Sequence, residues 1–286
     1  MPIFDLSYRH WHGTPTPRSR RFVPIAAAGI GPLLRRRAFI FWLVICWVPA
    51  LVCGVMIYLI VSLAQSQPNL GSSGLFDATE DRFFQFFVWM FFLYLLTSVF
   101  AGAGLIANDR RTNALQIYLS KPLRPWDYLL GKACAVGATL GFVTIAPPLA
   151  LFLLRVGLDH GTSYVRAHLL LPLSIIAGGA LITITLTILS LTVSSLTKSS
   201  RTAGVALVMF YVFASALHGM LGILFGGSLP SVLSPLANLQ QGLCVLFGRE
   251  PMYDVSPAVS LLALFLMLAI CVRVLWKRVR PVEVVL

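Results

Sequence analysis

The chain has 286 residues, of which 58% are hydrophobic and only 11% charged, and its mean hydropathy is +0.85. A water-soluble domain carries about 25% charged residues, so a compact soluble enzyme is all but excluded and a polytopic helical membrane protein is indicated. The excess of 22 basic over 10 acidic residues, a net charge of +12, is better explained by membrane topology than by nucleic acid, which is not expected as a partner.

The first 37 residues form a basic tail. Its last part, Phe22–Arg37, is loosely amphipathic, with Ile25, Ile30, Leu33 and Leu34 among small residues, and it ends in Arg35-Arg36-Arg37. That triplet directly before Ala38 reads as an anchor holding the tail inside, not as the start of a signal peptide. Six continuous apolar stretches follow, at about 38–64, 83–107, 128–154, 169–196, 203–225 and 257–275. Each is close to or longer than the roughly 20 residues that cross hydrocarbon as a helix. Their unbroken character favours helices over alternating barrel strands. Lys132 and Arg273 are the only charges inside these limits, and both lie near an end where a long stem reaches the headgroups.

Arg and Lys cluster on alternate connections. The N-terminal tail, the second connection (Arg110, Arg111, Lys121, Arg124, with Lys132), the fourth (Lys198, Arg201) and the C-terminal end (Arg273, Lys277, Arg278, Arg280) together hold 18, against Arg82, Arg155, Arg166 and Arg249 on the other side. The asymmetry places both termini in the cytoplasm. Five cysteines are read as buried, inert thiols: four lie in apolar stretches and Cys244 in a polar-flanked connection. Pro49 and Pro147-Pro148 predict kinks in spans one and three.

No Walker A pattern occurs; Gly131-Lys132 is followed by Ala133. The chain therefore binds no nucleotide cofactor of its own, and no catalytic or metal-binding constellation stands out. No Asp or Glu lies within a span, and His218 is the one central titratable group. An ion-coupled carrier would place ionisable groups there, so an energy source outside this chain is the more natural reading. In span four, Thr183, Thr187, Ser190 and Ser194 recur at helical spacing. They either join helices or form a polar translocation surface. The aromatic start of span two, Phe83–Trp89, is either an interfacial belt or a lateral gate for an apolar substrate.

The second connection is the most informative segment. It opens on Asp109-Arg110-Arg111, continues through Ala114, Leu115, Ile117, Tyr118 and Leu119 as a short helix, and is stopped by Lys121-Pro122. Pro125 then restarts a helix before Trp126-Asp127-Tyr128. In full, Asp109-Arg110-Arg111, Asn113-Ala114-Leu115-Gln116, Tyr118-Leu119-Ser120-Lys121-Pro122 and Trp126–Lys132 resemble the matching segment of the permeases of type-2 ABC exporters. The chain departs from that pattern at the usual glutamates (Asp109, Gln116), glycine (Asn113) and threonine (Ala114). Phe22–Arg37 is similar to the family's interfacial elbow helix. Leu233–Leu239, with its Ser234-Pro235 pair, is similar to the stretch where short external helices re-enter the outer leaflet.

The resemblance implies an all-α polytopic membrane protein: a tail and elbow helix over 1–37 and a six-helix transmembrane domain over 38–286. It implies a short cytoplasmic coupling helix between helices 2 and 3 and external re-entrant helices between helices 5 and 6. It also implies a pair of permeases, from a second copy or a homologue, each docked on a separate cytoplasmic ATP-binding subunit that holds ATP and Mg. The ATPase-coupling role is carried onto Asp109, Arg110, Arg111, Leu115, Leu119 and Pro122. The expected function is export of an amphipathic substrate across a bacterial inner membrane. The alternatives are a secondary transporter or channel, or a non-transporting anchor for a cytoplasmic partner.

Overall fold

A computed structural model describes residues 21–66, 80–114, 125–158, 164, 166, 168–225 and 229–279. Every regular element among them is a helix. Six helical segments are long and apolar enough to cross a membrane: Arg37–Ser62, Glu80–Arg111, Pro125–Leu158, Leu171–Leu196, Ser200–Phe225 and Pro257–Arg278. The elements in order are α1 (Phe22–Leu34), α2 (Arg37–Ser66), α3 (Glu80–Gly102), α4 (Leu105–Arg111), α5 (Pro125–Thr144), α6 (Ala146–Leu158), α7 (Leu171–Leu196) and α8 (Ser200–Phe225). A 3-10 turn (Leu229–Leu233), α9 (Pro235–Leu246) and α10 (Pro257–Arg278) complete them.

Spans two and three extend beyond their apolar limits for a local reason. Glu80 and Asp81 occupy the first turn of α3, and Asp127 follows Pro125 in the first turn of α5. Acids there complement the helix dipole, and proline is pre-set for a first turn. Lys277 and Arg278 close α10 by the same electrostatics reversed. The apolar limits mark the hydrocarbon-compatible part; the helices run on into the charged borders.

Span four is the central pillar: 67% of its most apolar window is buried, against 17% for each of spans one, five and six. It packs against spans two, three, five and six. The buried side chains of α7, among them Ile175, Ile182 and Leu186, meet Phe87 and Tyr94 of α3 and Leu140 of α5 in one core. Large apolar side chains on α2, α8 and α10 stay exposed, Phe41, Leu51, Phe213, Phe225 and Phe265 among them. Such faces suit hydrocarbon, not water.

Proline acts differently in spans one and three. Span three is interrupted at Ile145, between α5 and α6, two residues before Pro147-Pro148, whose missing N–H groups leave carbonyls of the preceding turn without helix partners. By contrast, α2 runs through Pro49 unbroken. At the interruption Thr144 Oγ1 lies 2.8 Å from Thr183 Oγ1 of α7. Here α7 presents Gly179, where an added Cβ would sit 2.5 Å from Ile145 Cγ1.

α1 is a helix that lies on α5. It buries Ile25, Gly29 and Leu33, and glycines let the two backbones approach. A Cβ on Gly131 would fall 2.7 Å from Ile25 Cβ, and one on Gly29 would fall 2.8 Å from Ala135 Cβ. Pro24 is tolerated in the first turn of α1.

Between spans five and six, Ser234 caps α9: its side chain accepts from the Ala237 N–H at 3.4 Å, with Pro235 in the first helical position. The Ser-Pro pair is thus a helix start written in sequence. Gln241, fully buried, fastens the following loop by donating to the carbonyls of Val255 (3.0 Å) and Tyr253 (3.3 Å) and accepting from the Met252 N–H (3.2 Å). This end of the molecule is also tied by Asp81–Arg249 (2.7 Å) and Glu80–His168 (2.8 Å).

Two expectations are corrected. Cys244 lies within α9 and is buried, not in a loop. Its thiol is buried because α9 turns its apolar face onto α7 and α10. Cys134 is exposed on α5, so the cysteines are not uniformly buried, although all five are free thiols.

Candidate functional site

The site grows from an interruption in span two. The helix stops at Gly102 and restarts at Leu105, with a turn at Ala103-Gly104. A restarted helix has N–H groups with no partner one turn back. Gly104 stands at the cap position and has no side chain to offer. The missing cap comes from another span. Ser194 Oγ of α7 accepts from the N–H groups of Ile106 (3.1 Å) and Ala107 (3.0 Å) and donates to the Ala103 carbonyl (2.8 Å). These two N–H groups are the ones that an ordinary N-cap side chain would satisfy.

α4 carries Asp109, Arg110 and Arg111 at its C-terminal end, where cations suit the dipole and the carboxylate does not. Asp109 is compensated from α5. Its Oδ2 lies 2.8 Å from Lys132 Nζ and accepts from the Tyr128 hydroxyl at 2.7 Å. The Lys132 side chain is 7% exposed and that of Asp109 15%. The ammonium also donates to the Leu105 carbonyl at 3.5 Å. Lys132 therefore does not reach for the headgroups, as its place in the apolar run suggested; an internal partner holds it. An ion pair this withdrawn from water is retained only with good geometry and further hydrogen bonds, which Tyr128 and Leu105 supply.

Arg110 donates to the Ser195 carbonyl, one of the last carbonyls of α7. Arg111 is exposed and donates to Asn108 Oδ1 at 3.1 Å. The tip of span two is thus fixed to span three through Asp109 and to span four through Arg110. The chain then turns through Asn113, whose φ of 55° is left-handed. Asparagine tolerates that conformation where most residues do not, which accounts physically for Asn113 where the resembling pattern has glycine. Leu115, Leu119 and Pro122 lie outside the described residues.

The hydroxyl ladder of span four is buried along its whole length. Thr183 meets Thr144, Ser190 donates to the Thr187 carbonyl at 3.0 Å, and Ser194 caps α4. Thr187 Oγ1, also buried, has no hydrogen-bond partner. All four therefore sit between helices in this conformation. Next to the aromatic start of span two, a cavity of about 270 Å³ opens between α2 and α3, lined by Val52, Met56, Phe83, Phe86 and Trp89 with Arg82 and Gln85. His218 stands edge-on to the ring of Tyr253 at 5.3 Å. No group of three or more His, Cys, Asp or Glu suited to a metal ion occurs among the described residues.

Sequence reading found Asp109, Arg110 and Arg111 but missed Lys132, Tyr128 and the capping role of Ser194. The one available signal for the interruption was Gly102-Ala103-Gly104 near the end of an otherwise large-residue span.

Six apolar helices, the most buried of them (span four) tied to its neighbours through side-chain hydroxyls, define a multi-pass membrane protein, with the tied polar site at one end of spans two to four. More particularly, the chain matches the family model described as ABC-2 family transporter protein over residues 33–279, and it belongs to that family. It is an ABC transporter permease, a membrane component of transport. No curated protein matches the chain.

Proposed function

We propose that this chain is the membrane half-unit of an exporter that takes its energy from a separate cytoplasmic ATP-binding subunit, which holds ATP and Mg. Two permeases act together, with both termini in the cytoplasm. α1 serves as the interfacial elbow, and the 3-10 turn with α9 forms the external re-entrant element. The unit from residue 38 onward supplies the passage, and 1–37 stays on the cytoplasmic side. The lysine and arginine asymmetry supports this orientation.

The carrying observation is the double tether at the tip of span two: Asp109 to Lys132 and Tyr128, and Arg110 to the Ser195 carbonyl. The segment from Asp109 to Pro122 is the docking element, with Leu115 and Leu119 as its apolar contacts. A force on it reaches spans two, three and four together because the tethers are short and withdrawn from water. Coupling of this kind requires the two transport states to meet the ATPase differently.

The cargo class is amphipathic. The apolar cavity at the aromatic start of span two, with Arg82 in its wall, supports a substrate with a greasy part and a polar part. The span-four hydroxyls act here as joints; a passage along Thr183, Thr187, Ser190 and Ser194 opens only if spans three and four part at Thr144.

The test is co-expression with a candidate ATP-binding subunit from the same cell. Single cysteines at Leu115 and Leu119 should cross-link to that subunit, and the complex should hydrolyse ATP in vesicles. A chain that purifies without any ATPase, and moves cargo on an ion gradient alone, is a secondary carrier and this reading fails.

A further inference from the structure

Beside the tethered tip, the first turn of α5 and the last turns of α10 line an open groove of about 620 Å³. Trp126 and Trp276 meet edge to face at its wall, with centroids 4.2 Å apart. Arg273 and Lys277 line it one helical turn apart on α10 and are exposed. Among the described residues, neither has a carboxylate partner. Further along the same face come Ile270 and Leu266, 64% and 53% exposed.

The order along this face is cation, cation, apolar, apolar. From Lys277 to Leu266 the helix rises about 16 Å, close to half of a hydrocarbon core about 30 Å thick. The charged end stands where the span leaves the apolar layer, and the paired indoles suit that border. One molecule matches a double positive charge at the border, a polarisable aromatic wall and an apolar track one leaflet deep. We infer that this groove binds an anionic phospholipid, its phosphate between Arg273 and Lys277 and an acyl chain along Ile270 and Leu266. Basic pockets between membrane helices select anionic headgroups in this way. The inference rests on where α10 ends, and stands apart from the ATPase-docking reading.

Native mass spectrometry of the delipidated full chain tests it, with phosphatidylglycerol and phosphatidylcholine of identical acyl chains as probes. The wild-type chain should retain one phosphatidylglycerol at concentrations where phosphatidylcholine leaves none. Arg273→Gln and Lys277→Gln should each weaken retention about fivefold, and together roughly 25-fold. Both residues are exposed, so folding is not at stake, and the charge-preserving pair Arg273→Lys with Lys277→Arg should keep the lipid. Inorganic phosphate at about 10 mM should not displace it, because free phosphate has no chain for the apolar track. Equal retention of the two lipids, or full retention by the double Gln variant, overturns the inference. Displacement by phosphate would make this a free-anion site. Lipid binding by monomers but not dimers would make the groove an interface between copies. Either result also overturns it.

Discussion

The Ser194 hydroxyl of span four donates to the Ala103 carbonyl of span two at 2.8 Å, and the same oxygen accepts the first free N–H groups of the restarted helix. One side chain thus closes an interruption in a neighbouring helix. Ser194→Ala leaves two buried donors and one buried acceptor without partners. N-cap losses cost about 0.5–2 kcal/mol, and buried unsatisfied groups cost more. We expect destabilisation by about 2 kcal/mol, read as a lower Tm of the detergent-solubilised protein. Ser194→Thr, which keeps the hydroxyl, should recover part of the loss. An unchanged Tm for the alanine variant would mean that water or relaxed backbone caps α4 instead.

The Asp109–Lys132 pair predicts a sign as well as a size. Lys132→Met strands a carboxylate that is 15% exposed at the unfavourable end of a helix. Breaking a buried pair from one side costs about 3–5 kcal/mol, and the border position puts this one at about 3. The double variant Asp109→Asn, Lys132→Met should be less damaged than Lys132→Met alone, because no unpaired charge remains. Thermal unfolding of the wild type, the two single variants and the double variant decides; a double variant that is the sum of the singles removes the pairing argument.

The α1–α5 contact can be tested through glycine. A side chain at Gly131 meets Ile25 Cβ at 2.7 Å and the Phe22 carbonyl at 2.9 Å, so Gly131→Val must push α1 away. Overpacking of this sort costs about 1–3 kcal/mol. Trypsin cleavage at Arg35, Arg36 and Arg37, all exposed, should speed up several-fold as α1 loosens. Gly31→Ala is the control, because nothing lies within 4 Å of the added atom.

Cys244 offers a prediction about reactivity. Burial pushes its thiol above the ordinary cysteine range, and only weaker influences oppose this, among them the positive charge of Arg249. A raised value means less thiolate near neutral pH, and the thiolate is the reactive form. A water-soluble maleimide at pH 7 should therefore leave Cys244 unmodified in the folded protein and label it once detergent denaturation opens α9. Labelling of the native protein at the rate of a free thiol would show that α9 opens readily.

Much of the fold was legible because a bilayer imposes a rule that composition obeys. Backbone polar groups in hydrocarbon need internal partners, so long continuous apolar runs become helices. The six spans were found within a few residues, and the Ser234-Pro235 start of α9 was visible as a motif. The misplaced starts of spans two and three share one cause: Glu80, Asp81 and Asp127 are charged, yet they favour the helix starts they occupy.

The site was legible only in part. Asp109, Arg110 and Arg111 stood out as a charge cluster beside an apolar span. Their partners did not, because a side chain that bonds to backbone leaves no pattern in sequence. The Ser195 carbonyl and the Ile106 and Ala107 N–H groups belong to positions that any residue can fill. Lys132 looked like a snorkelling residue because its distance from an apolar end is all that sequence reports.

By itself, then, the sequence determined a membrane-embedded helical chain, the six stretches long and apolar enough to cross a bilayer and the connections where its basic residues gather. Those follow from transfer free energies summed along the chain, which need no knowledge of neighbours. Only the tertiary structure decided that Ser194 completes another helix, that Lys132 turns inward to Asp109, and that Trp126 and Trp276 meet at the wall of a basic groove. Each of these depends on which helix lies beside which, and within hydrocarbon that choice is made by close packing and directional hydrogen bonds, since every helix is about equally apolar.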